Sequence, residues 1–460
     1  MNNNPRSLFL FLLLTFYFLP FTLLYAQEAT TSTRDSTETT RYNTIRYGTE
    51  TEIAALIQTL QSENADYLDN EIITLVENTR NRRILTGAFS FFAEREKGGL
   101  DDRAIRAIEE WEDEETDTVL AAIDYLGRVK ASAAAPVLQR LIETGEARFM
   151  NAAFRALGRV SGSDGEASEE IAEYIIDFYE NREPSDGYRR DMIVALGAAG
   201  SETAVDFLVR IAMNNDERFP LRIAALEAIA LIESPAGLEA VLFCVSVNNP
   251  NIRSAAVAAL GPFSGTAVDN AILDAFRDSH APTRIAAARA SRQRKLEAAV
   301  PYLRHRAEHD EVASVREEAI RSLGEISTGE AIEVIEGLFT ERRNSVQVRI
   351  VSGEMLMQNQ PERFLDSLIR ELDEAKQRNQ TALYNGLLRI IGGTTSQGME
   401  PITRRLMQDR GVIERSYALD MAVNNNLTSL AAEIRVIADD RNEGLANKAR
   451  RTMERLGIGD

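Results

Sequence analysis

Six arginines recur along the middle of the chain, at Arg189, Arg222, Arg253, Arg284, Arg316 and Arg349, in steps of 33, 31, 31, 32 and 33 residues. Seven residues after most of them stands a large aliphatic residue, often followed by glycine: Leu196-Gly197, Ile229, Leu260-Gly261, Leu323-Gly324 and Leu356. The stretch between is rich in alanine. Self-similarity at this period specifies an array of stacked supersecondary units and excludes a single globular core. Regularly spaced cations could read a polymer, but each arginine sits beside the turn of its own unit. That placement fits a role within or between units, so the interruptions of the period are where function is sought.

Each unit reads as two helices. Asn249-Pro250-Asn251 makes a turn, and Ile252 to Leu260 forms a helix with Ala255, Ala256 and Ala259 among its packing residues. Gly261-Pro262 breaks it, and Thr266 to Phe276 forms the second helix, with Val268, Ile272, Leu273 and Phe276 apolar. One such pair cannot bury its apolar face alone, so neighbours stack and bury a continuous core. The template extends upstream through Val119 to Gly127 and Met150 to Gly158, and downstream through Tyr384 to Gly392 and Arg415 to Ala422. The step from Leu157 to Leu196 is 39, and its excess is assigned to an inter-helix loop at Ser161–Gly165. A second long unit has its extra residues around Leu372 to Lys376. From about Glu52 to Leu456 the period gives roughly 12 units. The last helix, Asn447 to Leu456, stops at Gly457 behind Arg450, Arg451 and Arg455, as glycine and terminal cations dictate.

The pattern resembles HEAT repeats, in the subgroup named for phycobilisome-lyase-like repeats. Ile252-Arg253…Ala259-Leu260-Gly261 and Val315-Arg316-Glu317-Glu318-Ala319…Leu323-Gly324 carry the likeness best; Leu221-Arg222 and Val348-Arg349 match at their starts but lose the Leu-Gly. The resemblance covers nearly all of the chain after its leader. It implies an all-α fold, a right-handed α-solenoid of about 12 helix-turn-helix repeats. It also implies that the arginine helix lines the concave surface and that the arginine bonds the preceding turn. Its motif residues are structural and name no activity.

Residues 1–26 differ from everything after them. Arg6 precedes an uncharged run from Leu8 to Leu24, and Leu24-Tyr25-Ala26 precedes Gln27. This reads as a secretory signal peptide cut after Ala26; a run of 17 residues sits at the lower limit for a membrane anchor. Residues 27–48 read as a disordered Thr/Ser-rich tether, and 49–460 as the solenoid. The lone cysteine, Cys244, lies in an apolar run and reads as a small core residue. Export without disulfides places the chain in the periplasm or cell envelope of a bacterium.

The chain has 71 acidic and 52 basic residues, a net charge of −19. Nucleic acid is excluded as a general partner, because binding it needs cations to neutralise phosphates. No Gly-rich phosphate loop, Gly-x-Ser-x-Gly elbow or Cys-rich metal spacing occurs. The three histidines are His280, His305 and His309. His305 and His309 share a helix face and could begin a metal site, but a third ligand would have to come from the fold. Deoxyhypusine hydroxylases, which are HEAT-like enzymes, hold irons with His-Glu dipeptides; none exists here, so that activity is excluded. No enzyme activity and no cofactor are expected.

The strongest local anomaly is 284–306. Arg284, Arg289, Arg292, Arg294, Lys295, Arg304 and Arg306 face a single acid, Glu297, and Ser291-Arg292 stands where Leu-Gly should be. This stretch is the candidate docking site for an anionic partner; the competing reading is pairing with acidic neighbours such as Glu317 and Glu318. A run of acids around Trp111, from Glu109 to Glu115 with Asp117, reads as a solvated loop in which an exposed tryptophan would be an anchor. The expected function is a non-catalytic scaffold that binds another protein or peptide along the solenoid surface. A HEAT-like enzyme, by lyase or metal-assisted chemistry, and a structural subunit of an envelope assembly are the alternatives. A membrane enters only through an uncleaved signal.

Overall fold

The computed structural model describes residues 37–161, 165–182 and 184–459. Among them every regular element is helical, and the signal peptide and residues 27–36 of the tether lie outside them. The repeats fall into two compact units, divided between Ala204 and Val205.

The first unit holds five helix pairs: α1 (37–47) with α2 (Glu50–Glu63), α3 (Asp69–Asn78) with α4 (Arg82–Glu94), α5 (Asp101–Glu109) with α6 (Thr116–Arg128), α7 (Ala135–Glu143) with α8 (Ala147–Val160), and α9 (Gly165–Asn181) with α10 (Asp186–Ala199). The second holds eight. These are α11 (Val205–Met213) with α12 (Phe219–Ile232), α13 (Leu238–Cys244) with α14 (Pro250–Ala259), α15 (Thr266–Ala275) with α16 (Ala281–Gln293), and α17 (Val300–His309) with α18 (Ala313–Ile326). They continue with α19 (Gly329–Thr340) and α20 (Val346–Asn359), α21 (Pro361–Gln377) and α22 (Thr381–Gly393), α23 (Met399–Met407) and α24 (Val412–Asn424), and α25 (Ala431–Ala438) and α26 (Glu443–Leu456). In the second unit one apolar core runs from Val257 to Met453.

The even-numbered helices, which carry the periodic arginines, form one row within each unit. Each packs directly on the next: α4 on α6, α8 and α10 in turn, and α12 through α26 likewise. Their odd-numbered companions meet one another less extensively. The Leu-Gly motif follows from this row. A Cβ on Gly127 would stand 3.1 Å from Ala156 Cα, and one on Gly158 would stand 2.2 Å from the Ala195 carbonyl oxygen. On Gly324 it would meet Met355 Sδ at 2.8 Å, and on Gly392 the Tyr417 ring at 2.6 Å. Glycine lets neighbouring backbones approach, while the leucine before it is fully buried at 126, 157 and 323.

Five of the six periodic arginines bond the preceding turn, as the resemblance implies, and Arg253, Arg284 and Arg349 reach further. Arg253 donates from Nη1 to the carbonyls of Val247 (3.0 Å) and Asn248 (2.9 Å) in its own preceding turn. Its Nε and Nη2 hold the Asp278 carboxylate of the next turn at 2.7 and 3.0 Å. Arg284 repeats the arrangement one unit on, with the Asp278 and Ser279 carbonyls at 2.9 and 3.1 Å and both Asp310 oxygens at 2.7 Å. Arg316 takes the Asp310 carbonyl at 2.6 Å. Arg349 joins Phe339 O to Glu371, and Arg415 joins Gly411 O to Asp440. Arg222 bonds its own turn, at Ala212 O and Asn215 Oδ1. Arg189 instead lies over the Tyr179 ring, 5.2 Å from its centroid.

The bridging aspartates also brace their own turns: Asp278 accepts from the His280 amide and Asp310 from the Val312 amide, the N-cap residues at which α16 and α18 begin. Hydrogen bonds from Arg253 hold the Asp278 carboxyl below the usual carboxylate range, with burial opposing and the His280 amide assisting. Burial would raise Asp310, but Arg284, the Val312 amide and Arg306 outweigh it and hold it low too. A carboxyl depressed in the folded state stabilises the fold above its unfolded pKa, about 3.9. That contribution is lost as pH falls through the lower folded value.

Two sequence expectations are revised. Residues 37–47, assigned to the tether by composition, form a helix and supply one pair more than the period suggested. Ile45 is buried, and Arg41 holds Glu63 at 2.6 and 2.9 Å and Tyr67 at 3.0 Å. The excess of the 39-residue step lies largely in α9, which has 17 residues against 9 in α5 and α7; Gly162, Ser163 and Asp164 of the expected loop are outside the described residues. The long unit further on is explained by α21, also 17 residues. Cys244 is buried against the Ala212 carbonyl, as a core thiol should be.

Replacing Gly158 with alanine drives a methyl into backbone and should cost on the order of 1–3 kcal/mol. The same change at Gly324 meets the flexible Met355 side chain and should cost less. Thermal unfolding of the two variants checks the order.

Candidate functional surface

The structure pairs each cation of the 284–306 cluster with a carboxylate. Arg284 is buried on Asp310, and Arg306 reaches the same carboxylate at 3.2 Å. Arg289 and Arg292 both lie on Glu318, at 3.2 and 3.3 Å. Arg294 bonds Asp269 at 2.6 Å, Arg304 bonds Glu308 at 3.0 Å, and Lys295 stands 3.7 Å from Glu325 and donates to the Glu325 carbonyl. The competing reading of the cluster is thus the one the geometry favours. The acids that neutralise it come from α15, from α18 and from the end of α17, 4 to 30 residues away along the chain. Arg284 leaves the candidate set, because its buried guanidinium cannot meet a partner. Arg289, Lys295 and Arg304 remain on the surface as members of ion pairs. Ser291, in place of the motif leucine, stays fully buried.

His305 and His309 face each other on α17 with ring centroids 5.1 Å apart. The ring of His309 is 3.4 Å from Glu308. Among the described residues no group of three or more His, Cys, Asp or Glu side chains is placed to hold a metal ion. The acidic run lies in the turn between α5 and α6 and is also paired: Glu109 with Arg140, Glu114 with Arg103, Glu115 with Arg82. Trp111 is half-buried, edge-on to Phe149 at 6.0 Å and beneath Arg148 at 5.3 Å. It is not a free anchor.

A different cationic surface emerges on the arginine row of the first unit. Arg128 on α6, Arg155 and Arg159 on α8, and Arg190 on α10 all lie exposed on helices that pack side by side. Two carboxylates serve the four. Asp124 takes Arg128 at 2.9 Å and Arg159 at 3.8 Å, and Asp191 takes Arg155 at 3.4 Å. The Arg190 guanidinium makes no bond among the described residues. Asp191 is itself nearly buried; burial pushes its carboxyl up, against the pull of Arg155 and Arg190. Between the cations the floor is smooth, because Gly127 sits on Ala156 and Gly158 on Ala195. Exposed guanidiniums over such a floor suit planar, bidentate recognition of carboxylates. A sequence signal for this surface exists: Arg128 and Arg159 each follow a Leu-Gly directly, 31 residues apart.

Comparison with known proteins places this geometry. A family model described as "Spirochaete HEAT repeat protein" matches residues 45–452. No curated protein matches the chain. Among solved structures, a Kap121p mutant is similar at 12% identity and a TM-score of 0.43, over 90% of this chain and 53% of that one. Importin beta is similar at 13% identity and a TM-score of 0.40, over 95% and 72%. Human deoxyhypusine hydroxylase shares 16% identity at a TM-score of 0.25, over 58% and 100%. The chain spans about half the length of the Kap121p chains it matches.

If Arg284 is structural, Arg284→Glu should unfold its neighbourhood, since it buries like charges against Asp310 at a cost of about 3–5 kcal/mol. Arg304→Glu, at an exposed pair, should stay within about 0.5 kcal/mol of the parent. Denaturant unfolding of both variants separates the two roles.

Proposed function

The chain belongs to the spirochaete HEAT repeat proteins, and from that membership we propose that it is a non-catalytic scaffold of the cell envelope which holds an acidic segment of another protein. The segment lies on the arginine-row face of the first unit, along α6, α8 and α10. One observation carries the reading: four exposed arginines stand there with two carboxylates between them, in a chain whose net charge is −19. An acidic segment would complete the pairing of Arg155 and Arg159 and supply a partner for Arg190, whose guanidinium makes no bond among the described residues. Rim arginines of this kind act on encounter rate and selectivity more than on raw affinity. The envelope location rests on the leader at 1–26, whose uncharged run from Leu8 to Leu24 fits export.

A photo-crosslinker placed at Asn151 or Ala198, both exposed on this face, should capture a defined chain in the native envelope. Arg155→Glu/Arg159→Glu/Arg190→Glu should reduce that capture at least tenfold, and Arg304→Glu should leave it intact. Equal capture by the triple variant would contradict the proposal.

A further inference from the structure

The turns that join each companion helix to the next arginine helix form one edge of the second unit. This edge collects the unit's exposed apolar side chains. Val346 and Val412 open α20 and α24, Ile413 follows, and Val436 stands two residues from the end of α25. Met213, Phe219 and Phe243 occupy equivalent places at the turns after α11 and α13. Among the described residues of this unit one large exposed apolar side chain lies elsewhere, Leu231, at the opposite end of α12.

The last four of these turns each present an exposed arginine: Arg343, Arg378, Arg410 and Arg441. The guanidiniums of Arg343, Arg410 and Arg441 make no bond among the described residues, and Arg378 lies 3.6 Å from Glu374. Several nearby carboxylates are occupied by the fold. Asp409 is held by Lys376, Asp440 by Arg415, Glu374 by Arg342, and Glu414 by Tyr384. Glu341, Asp439 and Glu443 remain as counter-charges, so the cations alone do not define this edge. Its character is arginine beside aliphatic at the α19–α20, α23–α24 and α25–α26 turns, while the α21–α22 turn presents Arg378 alone. Packed helices lie about 8–10 Å apart, so the tips recur at roughly that spacing.

A protein partner favours one contiguous apolar patch. Here the aliphatic groups stand singly or in a pair on protruding turns, with arginines between them. That pattern suits a surface which yields locally and offers phosphates at every point. We propose that this edge seats the second unit on a lipid surface, with Arg343, Arg410 and Arg441 on headgroup phosphates and Val346, Val412 and Ile413 in the layer beneath. Guanidinium pairs with phosphate bidentately, and shallow insertion of aliphatic side chains adds the apolar share of interfacial binding. The edge is separate from the first-unit face that takes the acidic segment, so either assignment can fail without the other.

The test is vesicle flotation of the chain beginning at Gln27, which keeps every described helix and removes the apolar leader. Vesicles of phosphatidylcholine with one quarter phosphatidylglycerol should carry the protein upward, less so at high salt. Arg410→Glu/Arg441→Glu and Val412→Ser/Ile413→Ser should each cut the floated fraction at least fivefold. Ile413→Ser alone should cut it measurably, and Leu231→Ser, at the opposite edge, should not. Circular dichroism should show equal helicity throughout. The inference is overturned if the parent chain stays at the bottom of the gradient, or if the edge variants float like the parent. It is also overturned if these variants lose a protein partner in envelope crosslinking while flotation is unchanged.

Discussion

The bond on which the arrangement depends is made by an arginine that belongs to two repeats at once. Arg253 and Arg284 each fasten carbonyls in their own preceding turn and grip the aspartate of the next. The aspartate braces the turn into the following helix with the same carboxylate. Neighbouring turns therefore cannot slide independently. Buried ion pairs of this kind add little net stability, but they leave one register satisfied and make others costly. The consequence for function is a subtraction: cations that a linear reading offers to a partner are already occupied.

With the turns fixed, the helices between them are free to approach. Alanine and glycine on the arginine row bring its backbones together, while bulkier aliphatics fill the space towards the companion row. In the first unit the arginine row therefore meets in small residues, Gly127 on Ala156 and Gly158 on Ala195. There the row carries an arginine surplus; in the second unit, the aliphatic and cationic side chains gather on the turn edge instead.

Much of this was legible in the sequence. The period, the two-helix unit at 250–280 and the stop at Gly457 all follow from spacing and breakers, which are local properties. The second half of the arginine bond also left a trace: an aspartate stands 25 or 26 residues after Arg253, Arg284 and Arg415. What could not be read was which charges meet. The 284–306 cluster looked unbalanced because its counter-charges, Asp269, Asp310 and Glu318, lie on other helices. Residues 37–47 looked like tether because threonine dominates them, yet one buried isoleucine and an Arg41–Glu63 contact hold them as a helix. The arginine face of the first unit was missed because its four members lie on three helices.

The central claim is that Arg253, Arg284, Arg349 and Arg415 couple adjacent repeats. Hydrogen exchange on Asp310→Asn, compared with the parent at neutral pH, tests it most directly. The account predicts that amides of α16, α17 and α18 lose protection together, on both sides of the altered turn, while α24 and α26 keep theirs. Protection unchanged in α16, with any loss confined to the first turn of α18, would contradict it: Asp310 would then brace its own turn and nothing more.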